Sequence, residues 1–127
     1  IPLTVSGPFH SALMKPAADK LATVIEEVAL KVPSIPVVSN VTSTLLEDVQ
    51  AIKQEMLDQV SSPVQWEQNV RTLIDLGVTV FIECGPGKVL SGLVKKIDRN
   101  VAVYGVYDEA TIEQVVDASK RWNAQWV

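Results

Sequence analysis

The feature that most constrains this sequence is a strand–turn–helix–strand pattern over residues 78–106. The run VTVFIE (78–83) is rich in β-branched and aromatic residues, and the turn CGPGK (84–88) follows it directly. Apolar residues then recur at helical spacing over 89–97, before a second strand-like run, VAVYGV (101–106). Because a helix that connects two strands returns the chain to the same end of the sheet, this order predicts parallel strands.

The rest of the chain extends this alternation of short strands and amphipathic helices. Ser11 is a candidate cap of the first helix, Pro16 fits its first turn, and Gly77 closes the third helix. Strands are predicted over 1–6 and 36–41, and helices over 14–30, 49–60, 64–76 and 111–122. The fold class that follows is α/β, with short parallel strands alternating with helices and a sheet covered on both faces.

Composition and charge narrow the classes of function. Hydrophobic residues make up 47% of the 127 residues and the formal net charge is −4, so we expect a packed domain, or part of one, with no nucleic-acid or membrane partner. No apolar run approaches the roughly 20 residues of a membrane span, and no secretory signal is visible. The single cysteine, Cys84, favours a reducing, cytoplasmic setting. Because the chain begins on the strand-like run IPLTVSG rather than on Met, we expect a segment of a larger protein.

The glycine-rich turn matches neither common nucleotide-binding motif. A P-loop requires Gly at the position of Ile82 and Ser or Thr at the position of Val89. The dinucleotide-binding fingerprint requires a third Gly where Leu90 stands. We therefore interpret Gly85 and Gly87 as residues that permit a tight turn, with an anion contact at the start of the following helix as the alternative.

The sequence offers a candidate base but no recognisable nucleophile or metal site. With one His, one Cys and no closely spaced set of acidic residues, no metal site is predicted. Cys84 is interpreted as a small apolar residue at a strand end. None of the serines stands in the G-x-S-x-G arrangement that exposes a nucleophilic hydroxyl.

The only histidine, His10, lies at a junction where functional groups often occur in α/β proteins. It follows a Gly-Pro break and precedes a predicted helix. The positive end of that helix would favour a neutral imidazole, and the neighbouring Phe9 would exclude water. These features alone leave a structural role and a general base equally open.

Four blocks of the sequence resemble the carboxy-terminal part of malonyl-CoA:acyl carrier protein transacylases. They are VSGPFHSALMKPAADKL, PVVSNVT, SSPVQWEQNV and FIECGPGKVLSGLVKKI, in the order that the family has them. The resemblance covers roughly residues 1–117. It implies part of a three-layer α/β/α, α/β-hydrolase-like acyltransferase fold. In that fold, 1–8 would be a strand that leaves a ferredoxin-like subdomain, and 9–127 would be the remainder of the large α/β subdomain.

The resemblance also implies a Ser–His site for acyl transfer in fatty-acid biosynthesis. In the family, a Ser takes the malonyl group from malonyl-CoA and passes it to the phosphopantetheine thiol of acyl carrier protein, without a cofactor. His10 would be the partner of that Ser, and the backbone carbonyl of Gln65 would orient its imidazole. Phe9 would bind the substrate and disfavour an α-methyl group. A hydroxyl needs such a base to become a competent nucleophile.

This chain departs from the family pattern because it lacks the Ser elbow, the Arg for the malonyl carboxylate and a Gln of the oxyanion hole. We therefore expect it to be inactive alone. Its expected partners are malonyl-CoA, acyl carrier protein and the amino-terminal remainder of the enzyme, in the cytoplasm or an organelle with bacterial-type fatty-acid synthesis. Lys95, Lys96 and Arg99 are candidates for contacting an acidic carrier. Two alternatives remain: an acyltransferase domain of a multidomain polyketide or fatty-acid synthase, and a non-catalytic α/β interaction module.

Overall fold

The computed structural model describes residues 7–122, so the strand predicted over 1–6 lies outside the described residues. The chain divides into two compact units, one ending at Leu73 and the other beginning at Ile74. None of the helices in 7–122 has the length and apolar content that a bilayer span requires.

Helices dominate the first unit. A 3₁₀ turn over Ala12–Met14 leads into α1 (Lys15–Glu27), and α2 (Val49–Ser61) packs against α1. α3 (Trp66–Asp75) follows after a short break and reaches the boundary between the units. The predicted helices are thus confirmed, although α1 ends three residues earlier than expected because Val28 takes an extended backbone conformation.

The core of this unit is small and lies on the inner faces of its helices. Ile25 on α1 and Val70 on α3 are 2% and 1% exposed. Pro16 lies in the first turn of α1 as predicted, where its missing N–H has no helical partner to lose. Asp48 begins α2 by accepting a hydrogen bond from the backbone N–H of Ala51 at 2.7 Å.

The strand predicted over 36–41 is wrong. Within 7–122 this segment forms only an isolated antiparallel bridge between Val38 and Leu45, inside a tight turn. The backbone is satisfied locally, since Ser39 N donates to Thr44 O at 2.8 Å and Leu46 N donates to Val37 O at 2.9 Å. The apolar run is therefore one arm of a turn rather than a buried strand.

The second unit contains the parallel strand pair predicted from the sequence. β1 (Val80–Cys84) pairs with β2 (Ala102–Val106) in parallel, and α4 (Val89–Ile97) connects them and packs on both. α5 (Glu109–Ser119) follows and packs on β2. α5 begins two residues earlier than predicted because Asp108 and Thr111 form a capping box at its start.

Both units expose large apolar side chains. In the first unit Leu13 is 75% exposed, and in the second Ile82 on β1 and Val89 at the start of α4 are 43% and 72% exposed. Exposed apolar residues on a strand and at helix starts are typical of surfaces that pack against further protein. The exposed apolar residues of the second unit therefore indicate a surface on which further polypeptide would pack.

Candidate active site around His10

His10 lies in a tight turn with a left-handed backbone. Its φ angle is +57°, a region that non-glycine residues enter at an energetic cost and that is enriched at functional sites. The Ser11 hydroxyl donates to the Pro8 carbonyl at 2.6 Å and so closes the turn around His10. The sequence predicted that Ser11 caps the first helix, but its side chain makes no capping hydrogen bond. The hydroxyl instead stabilises the turn that contains His10.

The imidazole of His10 meets a backbone carbonyl from a distant part of the chain. Nδ1 lies 2.6 Å from the carbonyl oxygen of Gln59, in the last turn of α2. A carbonyl can only accept, so this contact requires the hydrogen of the neutral ring to be on Nδ1. Nε2 then carries the free lone pair, which is the arrangement that a general base needs.

Gln65, to which the family resemblance assigned this contact, is engaged elsewhere. Its carbonyl accepts the backbone N–H of Asn69 at 2.9 Å, and its own N–H donates to the Asn40 carbonyl at 2.8 Å. The structure therefore places the carbonyl beside His10 on Gln59, six positions earlier. Sequence reasoning missed Gln59 because it stands inside a predicted helix, where backbone carbonyls are normally paired.

Asn40, in the turn that the Val38–Leu45 bridge closes, hydrogen-bonds to Gln59, whose carbonyl contacts His10. Its side-chain amide donates to Gln59 Oε1 at 3.0 Å, and its backbone N–H donates to Glu55 Oε1 at 2.8 Å. The other carboxylate oxygen of Glu55 accepts the hydroxyl of Ser39, which is 1% exposed. Both side chains on α2 are thus held by one turn, which orients the end of the helix.

Asn69 secures the same turn from α3. It is 7% exposed, and its amide nitrogen faces the Ser43 hydroxyl at 2.6 Å, the Gln65 carbonyl at 3.0 Å and the Ser39 carbonyl at 3.1 Å. Ser43 has a φ angle of +60°, so a second left-handed residue lies within this network. Buried amides that satisfy several partners make a turn rigid.

The side chain of Phe9 lies next to His10 in sequence and is 61% exposed. A Cβ atom at Gly7 would come within 3.1 Å of its ring, so the glycine leaves space for the ring. Phe9 is therefore not a core residue within 7–122, and its ring is available to a ligand or to further protein.

In the second unit, Glu83 holds the start of α4. Its carboxylate accepts the Ser91 hydroxyl and the backbone N–H groups of Ser91 and Leu90, at 2.5, 2.8 and 3.1 Å. The hydrogen bonds from Ser91 lower the pKa of the Glu83 carboxyl. The intervening turn has positive φ angles at Gly85 and Gly87, which confirms that these glycines satisfy a backbone requirement.

The remaining candidate residues of this unit have separate environments. Cys84 ends β1 as an exposed free thiol. The ammonium group of Lys95 donates to the carbonyls of Val101 and Arg99, at 2.6 and 3.3 Å, so it is partly occupied within its own unit. No three His, Cys, Asp or Glu residues between positions 7 and 122 cluster in a way that could hold a metal ion.

Comparisons with known proteins give the context of this site. The chain is 49% identical over 123 residues to the malonyl CoA-acyl carrier protein transacylase of Bacillus subtilis, and 45% identical over 123 residues to that of Staphylococcus aureus. These matches cover 97% of this chain but only 39% and 38% of the relatives, so the chain spans about two-fifths of their length. No protein-family model matches the sequence.

Solved structures agree with the sequence matches. An acyl-carrier-protein S-malonyltransferase from Burkholderia pseudomallei is 44% identical with a TM-score of 0.87, over 92% of this chain and 38% of its own. A malonyl-transacylase in complex with its type II polyketide synthase acyl carrier protein is 40% identical with a TM-score of 0.88, over 93% and 38%. By sequence and by fold, this chain belongs to the malonyl-CoA:acyl carrier protein transacylase family of α/β acyltransferases and corresponds to the carboxy-terminal part of its members.

Proposed function

We propose that this chain supplies the general base for transfer of a malonyl group from malonyl-CoA to the phosphopantetheine thiol of acyl carrier protein. The observation that carries the proposal is the 2.6 Å contact between His10 Nδ1 and the Gln59 carbonyl. It requires a hydrogen on Nδ1, so that in the neutral ring Nε2 has the free lone pair that a base requires, and it fixes the plane of the ring. The identity of the substrates is inferred from the names of the relatives.

The proposed reaction has two acyl transfers at one Ser hydroxyl, which the amino-terminal remainder of the enzyme contributes. Nε2 of His10 accepts the hydroxyl proton as the oxygen attacks the malonyl thioester carbon. The C–S bond then breaks, and the imidazolium returns the proton to the CoA sulfur. In the second half, Nε2 takes the proton of the carrier thiol, the sulfur attacks the seryl ester, and the Ser oxygen leaves with that proton. No cofactor enters this balance.

Gln59 has two effects in this scheme. Its carbonyl holds the Nδ1 hydrogen, which keeps the ring in the tautomer that can accept a proton at Nε2. Its position at the carboxyl end of α2 also places the negative end of the helix dipole beside the ring. That partial charge stabilises the imidazolium formed during transfer, so a backbone group serves where other triads use a carboxylate. The sequence had instead emphasised the positive start of the following helix, which the 3₁₀ turn separates from His10.

We further propose that Phe9 contacts the acyl group and that residues 9–127 belong to the large α/β subdomain. The exposure of Phe9, the residue immediately before His10, supports the first point, because an exposed ring next to the proposed base is accessible to an acyl group bound there. A cytoplasmic location fits the bacterial relatives. The acyl carrier protein and the amino-terminal remainder are the protein partners.

The test uses the full-length enzyme that contains this chain. His10→Ala should lower malonyl transfer to acyl carrier protein by about 10²–10⁴-fold, the usual contribution of a general base. Lys31→Ala, an exposed residue of the loop after α1, is the matched control and should retain wild-type turnover. Near-normal transfer by His10→Ala with unchanged circular dichroism would refute the function.

A further inference from the structure

The carbonyl that meets His10 belongs to a helix position whose normal partner is missing. In an α-helix, each carbonyl accepts the N–H of the residue four positions later. At the end of α2, Asp58 O accepts Ser62 N at 2.9 Å in this way. For the next residue, Gln59, the partner would be residue 63, and Pro63 has no N–H.

The proline also defines where the helix ends. A residue that precedes proline is driven out of the helical region, and Ser62 has φ −108° and ψ 150°, an extended conformation. α2 therefore stops at Ser61, and the carbonyls of its last turn are left without helical donors. Among the described residues, the ring of His10 is the donor that meets Gln59 O.

We propose that Pro63 is a positioning residue for the base: by removing the N–H that would pair with Gln59 O, it reserves that carbonyl for His10. The inference deepens the proposed function and rests on it where catalysis is concerned, but the hydrogen bond can be tested without any substrate. In the sequence, the contact between His10 and Gln59 O is encoded by a proline placed four residues after Gln59.

The side chain of Gln59 adds to this arrangement. Its Oε1 accepts the amide of Asn40 at 3.0 Å, so the residue is held from its side chain while its carbonyl faces His10. A carbonyl fixed in direction and free of a backbone donor is a preorganised acceptor. Little conformational reorganisation is then needed to keep the hydrogen bond to His10 when the imidazole accepts a proton.

The test is nuclear magnetic resonance of the full-length enzyme with ¹⁵N-labelled histidine, in which the ring signals of His10 are identified by their absence from the His10→Ala variant. The wild type should show a protected Nδ1–H and a single neutral tautomer. Pro63→Ala restores an N–H at residue 63, which allows α2 to extend and pair with Gln59 O. We expect the Nδ1–H signal to lose its protection and the ¹⁵N shifts to report a tautomer mixture. Pro33→Ala, in the loop after α1, is the control and should leave both unchanged.

A third variant separates the missing N–H from the proline ring. N-methylalanine at position 63, introduced by semisynthesis, has neither the backbone N–H nor the pyrrolidine ring, and should keep the wild-type signature. If Pro63→Ala keeps the wild-type signature, or N-methylalanine loses it while the chain stays folded, the inference is overturned. If Pro63→Ala fails to fold, the N-methylalanine variant alone decides.

Activity provides the second readout, in the full-length enzyme. Pro63→Ala should reduce kcat by about 10–100-fold, part of the usual contribution of a general base, with little change in KM. Failure of the proposed function would appear differently, as transfer that survives His10→Ala while the spectroscopic results stay as expected.

Discussion

Ser91 donates two hydrogen bonds to Glu83, one from its hydroxyl at 2.5 Å and one from its backbone N–H at 2.8 Å. The carboxylate stands at the start of α4, where unpaired N–H groups and the positive end of the helix dipole both favour a negative charge. A side chain near the end of β1 thus serves as the cap of the next helix. The contact ties the two sides of the glycine-rich turn together.

Stability should therefore depend on pH through Glu83. The hydrogen bonds from Ser91 lower its pKa from the usual 4.5, so the unfolded chain binds this proton more readily than the folded chain. The stabilisation is present above the unfolded-state pKa and is lost as the pH falls through the folded-state pKa. In urea unfolding, Glu83→Gln should be less stable than wild type at pH 7, and the difference should shrink toward pH 3.

Ser91→Ala is the companion variant, because it removes the main cause of the lowered pKa without touching the carboxyl group. It should reproduce the same pH dependence in weaker form. A difference between wild type and Glu83→Gln that stays constant from pH 7 to pH 3 would contradict the assignment.

The second prediction concerns acyl selectivity. If Phe9 contacts the acyl group as proposed, Phe9→Ala should favour methylmalonyl relative to malonyl groups, because it removes a bulky ring next in sequence to the proposed base. Recognition of one methyl group is worth about 1–3 kcal/mol, so the ratio of the two kcat/KM values should change by about 10-fold or more. Full-length wild type and Phe9→Ala are compared with both CoA thioesters. An unchanged ratio would remove Phe9 from the substrate site.

A third prediction tests the core of the first unit. Ile25 on α1 is 2% exposed, and Ile25→Ala should lower the free energy of unfolding by about 2–5 kcal/mol. Val24, its neighbour on the same helix, is 56% exposed, and Val24→Ala should cost about 0.5 kcal/mol or less. Denaturant titration of both variants measures the contrast, and equal losses would show that the two faces of α1 are not distinguished as described.

The sequence predicted the second unit well because its signals are local. Strand propensity over 80–84 and 102–106, helical spacing over 89–97 and two glycines in the turn all agree, and one parallel pairing satisfies them together. The run 36–41 failed for the opposite reason. Its apolar residues match a strand pattern. In the structure, however, hydrogen bonds from Ser39 and the turn at Ser43 satisfy the backbone locally, and hydrophobic periodicity carries no information about those contacts.

The candidate site was predictable in part. The sequence indicated His10 as the candidate base from its uniqueness, its junction and the surrounding family block, and that role stays a prediction. The resemblance assigned its carbonyl partner to Gln65, whereas the carbonyl that contacts the ring belongs to Gln59. Which carbonyl is free depends on where α2 ends, and helix ends are the least certain elements of a sequence prediction. The proline four positions after Gln59 was the available signal, because it identifies a carbonyl that cannot complete its helical bond.

The last prediction separates the backbone of Gln59 from its side chain. Gln59→Ala keeps the carbonyl that meets His10 and loses only the hydrogen bond from Asn40. One such bond is worth about 0.5–1.5 kcal/mol, so kcat of the full-length enzyme should fall by about 2- to 10-fold. His10→Ala should lose orders of magnitude more in the same malonyl-transfer assay. If the two variants are equally impaired, the side chain of Gln59 rather than its carbonyl supports the base, since alanine would then have removed the group that matters.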